Sequence, residues 1–87
     1  LPNTEDLYIS GSLQYGKYLV LKDYYGIYTF DAEENKLLWQ QDSDYSDELL
    51  QFSDDGSGFW LWEKKNNGVR FFQIETGDST YCTKSIL

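Results

Sequence analysis

Short runs rich in extended-state formers recur along the chain, separated by polar stretches that carry Asp, Asn, Gly and Ser. Residues Lys17 to Leu21 read as a strand, Tyr24-Tyr25-Gly26 as a tight connection, and Ile27 to Phe30 as the strand that follows it. Asp31 to Asn35 is polar enough for a turn, with Ala32-Glu33-Glu34 able to form one helical turn. Lys36 to Gln40, Leu49 to Phe52, Phe59 to Lys64 and Val69 to Ile74 supply further strands. Seven strands result if Leu7 to Ser10 or the stretch around Tyr81 is counted with them. This order predicts an all-β chain, one domain over residues 1–87, folded as a small antiparallel meander or barrel-like unit. An α+β arrangement is the alternative.

Two blocks repeat the order strand, Asp/Gly turn, aromatic strand, polar turn, strand. Tyr18 to Leu21, Asp23, Gly26, Ile27 to Asp31 and Leu37 to Trp39 can be laid against Leu49 to Phe52, Asp54, Gly58, Phe59 to Glu63 and Val69 to Phe71, with one residue inserted before Gly58. Duplication and hairpin chemistry alone both account for that likeness. In the second block a turn at Asn66-Asn67 sets Glu63 against Arg70, Trp62 against Phe71, Leu61 against Phe72 and Phe59 against Ile74. Opposite charges and aromatic rings then pair across the strands, each worth roughly 0.2 to 1 kcal/mol. A turn at Asn67-Gly68 is the rival, favoured by the Asn-Gly preference of two-residue hairpins.

Either turn leaves apolar bulk on both faces of this hairpin. Phe59, Leu61, Phe72 and Ile74 lie on one side, and Trp60, Trp62, Val69 and Phe71 on the other. A two-layer unit covers only one face of each sheet, so the second set must be met by the rest of the chain, by a twin subunit or by a ligand. The chain holds 16 Phe, Trp and Tyr residues, enough for a curved sheet to turn most rings inward or for some to form an exposed contact face.

Charge changes the functional picture. The chain has 15 acidic and 7 basic residues, a formal net charge of −8. Six of the acids (Asp42, Asp44, Asp47, Glu48, Asp54 and Asp55) fall between Gln41 and Asp55, where there is no basic residue. Such a surface repels a phosphate backbone and attracts a basic protein, including one whose own site binds nucleic acid. Direct nucleic-acid binding is not expected: Lys64, Lys65 and Arg70 are too few for a broad groove.

Candidate chemistry is sparse. The chain contains no His, which removes the usual catalytic triads and HExxH-type metal sites. The acids sit in Ser-rich polar sequence, where solvation holds them near ordinary acidity, so no catalytic role is assigned to them. Asp42-x-Asp44-x-x-Asp47 offers hard oxygen ligands for calcium, yet the regular twelve-position loop with its central Gly and terminal Glu is absent. Gly56-Ser57-Gly58 lacks a following Gly-Lys-Ser/Thr unit and reads as a turn. The lone Cys82 neither forms an internal disulfide nor completes a zinc site. No cofactor is expected. No run of residues is apolar enough to span a bilayer, and a cytoplasmic location is expected.

Residues Phe52 to Trp62, followed by Gly68-Val69-Arg70-Phe71-Phe72, resemble the acidic Asp/Gly turn and flanking strands of the SUKH bacterial immunity superfamily. That likeness implies an α+β inhibitor that meets a toxin, often a nuclease, through an acidic surface. Tyr25 to Ala32 with Lys36-Leu37-Leu38-Trp39 resembles a blade segment of quinoprotein-type β-propellers, which implies a fragment or a blade-like sheet completed by self-association, with an unrelated meander using the same turns as the alternative. A complete propeller needs more blades than this length encodes.

The expectation is therefore a non-enzymatic, acidic protein-recognition module. Asp42, Asp44, Asp47, Glu48, Asp54 and Asp55 would steer a basic partner, with Tyr45, Trp60 and Trp62 adding contact area. Inhibition of a nuclease or another nucleic-acid-binding protein, as by an immunity protein, is its sharpest form. A structural or self-assembling β module, forming a homo-oligomer, is one alternative. A carbohydrate-binding module using Trp60, Trp62, Tyr24, Tyr25 and Tyr28 is the other.

Overall fold

The computed structural model describes residues 8–83, which fold into eight antiparallel strands. These are β1 (Gly11–Tyr15), β2 (Tyr18–Lys22), β3 (Gly26–Asp31), β4 (Lys36–Asp42), β5 (Glu48–Phe52), β6 (Gly58–Glu63), β7 (Gly68–Gln73) and β8 (Ser79–Thr83). They form two four-stranded sheets, β1-β2-β3-β4 and β5-β6-β7-β8, each strand paired with its sequence neighbour. The all-β meander expected from the pattern is the fold. Two open sheets rather than a closed barrel make up the unit, and no helix occurs among the described residues, which sets aside the α+β alternative.

The sequence reading misses β1 and does not fix β8. Strand β1, Gly-Ser-Leu-Gln-Tyr, carries few strong β-formers, and it owes its conformation to a five-pair ladder with β2. Within the Leu7 to Ser10 stretch, residues 8–10 are not strand, and Leu7 lies outside the described residues. Asp31 to Asn35 is a turn and not a helical one: the Asp31 carboxylate accepts from the Glu33 and Glu34 amides at 3.0 and 2.9 Å, and Asn35 takes a positive φ of 56°.

Neither expected register of the second hairpin is observed. Glu63 pairs with Gly68, Trp62 with Val69, Leu61 with Arg70, Trp60 with Phe71 and Phe59 with Phe72, around a four-residue loop, Lys64–Asn67. Because the shift is even, every side chain keeps the face it was assigned. The Arg70 guanidinium still reaches the Glu63 carboxylate, at 2.9 Å, as a diagonal neighbour.

The core lies between the sheets. Val20 and Ile27 from the first meet Phe59, Leu61, Phe72 and Ile74 from the second, with Leu13, Tyr18, Trp39, Leu49 and Phe52 packed around them. Trp39, Phe59 and Phe72 stack with interplanar angles of 4° to 16° and centroids 5.2 to 6.0 Å apart. Full burial of each such side chain contributes about 1.5–3 kcal/mol. Phe30 and Val69 are also buried, but they stand outside this cluster on the far faces of their sheets.

The sheets are copies of one plan. Gly26 and Gly68 open β3 and β7, and nine residues later Asn35 and Gly77 both take a positive φ. On that frame the pairs Val20/Thr29 and Leu21/Tyr28 correspond to Trp60/Phe71 and Leu61/Arg70, and Leu19/Phe30 corresponds to Phe59/Phe72. The repeat therefore relates β2 to β6 and not, as the sequence alignment has it, β2 to β5. That alignment matched two Asp/Gly turns of similar chemistry at opposite ends of the strands.

Candidate recognition surface

Up-and-down strand order places the β2–β3, β4–β5 and β6–β7 loops at one end of the sheets and the other turns at the opposite end. The first of these ends is organised by a buried lysine. Lys22 is 1% exposed, and its Nζ donates to the Asp23 carbonyl at 2.9 Å and the Asp44 carbonyl at 3.0 Å. Burial pushes its pKa down, while Asp47, Asp23 and Asp44 push it back up. The ammonium thus holds the β4–β5 loop against the end of β2.

Asp23 shapes the neighbouring loop. Its Oδ1 accepts from the Tyr25 and Gly26 amides at 2.9 and 2.8 Å, an Asx-type turn, and its Oδ2 accepts from the Tyr28 hydroxyl at 3.2 Å. Burial, then the Asp23 charge, raises the Tyr28 pKa. The turn leaves Tyr24 and Tyr25 outside, 53% and 78% exposed, edge to face with centroids 6.4 Å apart, and Tyr8 stacks on Tyr24. Tyr45, 71% exposed on the β4–β5 loop, borders a cleft of about 380 Å³ with Ser10, Lys22, Asp47 and Lys64.

The six acids singled out from sequence do not form one surface. Asp42, Asp44, Asp47 and Glu48 lie at the Lys22 end, and Asp54 and Asp55 lie beyond the far end of β5. Asp47 is buried and accepts from the Ser43 hydroxyl at 2.7 Å and the Asp44 amide at 3.0 Å. Asp44 accepts from the Ser46 hydroxyl and amide and meets Lys65 at 3.0 Å, contacts that lower its pKa to about 2, the Ser46 hydroxyl first. Glu48 meets Lys64 at 2.6 Å. Asp42 is exposed at the end of β4. The oxygens of Asp44, Asp47 and Glu48 are engaged by the loop that carries them or by the lysines of the β6–β7 loop, and among the described residues no group of three or more His, Cys, Asp or Glu is arranged to hold a metal ion.

The opposite end is the more acidic one. Its turns and strand ends carry Asp31, Glu33, Glu34, Asp54, Asp55, Glu75 and Asp78 against Lys17 and Lys36, among the described residues. Tyr15 donates to the Asp54 carbonyl at 3.2 Å and Tyr18 to the Glu75 carboxylate at 3.0 Å, tying turns of the two sheets together. The Ser57 amide and the Ser53 hydroxyl hold the Asp55 carboxyl below its ordinary range. Sequence reasoning overlooked this rim because its acids are scattered over three separate turns.

Trp60 and Trp62, expected to offer contact area, are half-buried on the outer face of the second sheet, where Trp60 packs on Phe71 with centroids 4.8 Å apart. Trp62 lies across from Glu48, towards the Lys22 end, and Trp60 across from Gln51, further along the strand. No protein-family model matches the chain, and comparison with curated proteins and with solved structures returned no match.

Proposed function

We propose that this protein is an acidic recognition module that binds a cationic protein segment at the tyrosine-bearing end of its two sheets. The observation that carries this reading is the exposure of Tyr24, Tyr25 and Tyr45 on loops held in place by buried Asp23 and Lys22. Rings fixed beforehand offer large amphipathic contact area and lose little freedom when a partner arrives. Arg and Lys side chains suit such rings through cation–π contact. The net charge of −8 attracts a basic protein and sets the rate of encounter more than the final affinity.

Neutralisation of a nuclease or another nucleic-acid-binding protein in the cytoplasm is the narrower form of this proposal. Because Asp44, Asp47 and Glu48 are engaged within the fold, the geometry favours aromatic contact with electrostatic steering over a row of carboxylates imitating phosphates. The turn chemistry of β2 to β4 and the four-stranded meander support the likeness to a quinoprotein-type blade as the scaffold. Nothing in this reading requires turnover of a substrate.

Calorimetric titration with short peptides rich in Arg and Lys, and with matched Glu-rich peptides, tests it. Binding is expected only for the cationic set, and Tyr25→Ala with Tyr45→Ala should weaken it by about tenfold or more. Unchanged affinity in that double variant sinks the proposal. Salt-insensitive binding of a neutral oligosaccharide, lost on the same substitutions, would transfer the site to carbohydrate recognition.

A further inference from the structure

We propose that the outer faces of the two sheets are the two halves of a head-to-tail interface, and that a second copy of this chain occupies each of them. Unlike faces of the two sheets meet inside the molecule. Sheet one buries its Val20/Thr29 face against the Phe59/Phe72 face of sheet two. By the repeat, Trp60/Phe71 is the counterpart of Val20/Thr29, and Leu19/Phe30 is the counterpart of Phe59/Phe72. The faces in contact are therefore unlike faces of one repeated sheet, and the same two kinds of face recur on the outside.

Each outer face has an apolar centre. On one, half-buried Leu19 and Leu21 and Leu37, 38% exposed, stand beside buried Phe30, and on the other Trp60, Trp62 and Phe71 are half-buried. No described strand packs over either. A second copy brings to the Trp60/Phe71 face the Leu19/Phe30 face that its position in the repeat demands, which continues the existing interface outward. Since the two surfaces differ, the contact is heterologous and propagates as a ring or a filament instead of stopping at a pair. The inference is independent of recognition at the tyrosine-bearing end.

Sedimentation velocity of the full chain over a wide concentration range provides the test. The weight-average mass should climb from that of the 10.2 kDa chain past twice that value. Leu21→Lys blocks the first outer face, with Leu37→Lys as a second variant at a position already partly exposed should Leu21→Lys fail to fold. Thr80→Lys blocks the other face, since Thr80 is exposed directly across from Phe71. Each blocked chain alone should remain a monomer, and mixing one of each kind should restore a one-to-one complex through the intact faces. A wild-type chain that stays monomeric throughout overturns the inference, as does continued association of either blocked chain alone or a mixture that forms no complex.

Discussion

The indole Nε1 of Trp39 donates to the main-chain carbonyl of Ile74 at 2.8 Å, a bond that crosses from the last strand of one sheet to the turn between the last two strands of the other. The same ring stacks on Phe59 and Phe72, so one side chain supplies both polar and apolar attachment between the sheets. Trp39→Phe keeps part of the stack and removes the donor. It should lower stability by about 1–3 kcal/mol, the usual cost of stranding a buried carbonyl, and urea unfolding followed by far-UV circular dichroism measures it.

Thr29 tests the opposite sign. Its hydroxyl is fully buried between the sheets and has no hydrogen-bond partner among the described residues. Thr29→Val replaces that hydroxyl with a methyl group of similar volume, and a gain of about 1 kcal/mol in unfolding free energy is expected. An equal loss in the same urea titration would show that the hydroxyl is satisfied.

Lys22 holds the β4–β5 loop through the Asp44 carbonyl and places a positive charge near buried Asp47. Lys22→Met should destabilise the fold by about 2–5 kcal/mol, because the carbonyls lose a charged donor and the carboxylate loses its cation. Hydrogen exchange of the 43–47 amides should speed up more than that of β6. Equal acceleration in both segments would deny Lys22 a local role.

Gly58 begins β6 where any Cβ would strike the Phe72 carbonyl and the Phe71 ring. Its φ is not positive, so the requirement is space and not backbone conformation. Gly58→Ala should cost about 1–3 kcal/mol by forcing β6 away from β7. A thermal melt matching the parent chain would contradict the close approach.

Acid should weaken the fold within a defined window. Asp44 has a pKa of about 2 when folded against an ordinary value of 3.8, so its contribution is fully present above 3.8 and is lost as pH falls toward 2. Asp31 and Asp55 are lowered as well, the first chiefly by the Glu34 amide, and add in the same direction. Above pH 10 the sign reverses: Lys17, Lys65, Tyr18 and Tyr28 all have raised values, and the stability they confer at lower pH is lost as each deprotonates. Asp44→Asn should flatten the acid limb of a stability–pH curve, and an unaltered limb would remove Asp44 from that account.

Face assignments were legible in the sequence where partners were not. Alternation in Phe59 to Glu63 and in Val69 to Ile74 separates two apolar sets whichever turn is chosen, and the structure keeps both sets. The register required knowledge of the loop, where Asn67 adopts a positive φ of 55° and Gly68 lies too close to Tyr81 for a side chain. Acid positions behaved differently again. Asp42 through Asp55 are neighbours along the chain, yet an extended strand of five residues carries the last two to the far end of the sheet.

Composition and alternation by themselves determined an antiparallel β chain of strong negative charge with more apolar faces than one interface could cover, because strand formation and face parity depend on residues adjacent in sequence. Only the tertiary structure decided that the two meanders stack through unlike faces, that Lys22 closes one end, and that the carboxylates divide between two rims. Those outcomes follow from contacts between residues tens of positions apart, whose geometry no local pattern encodes.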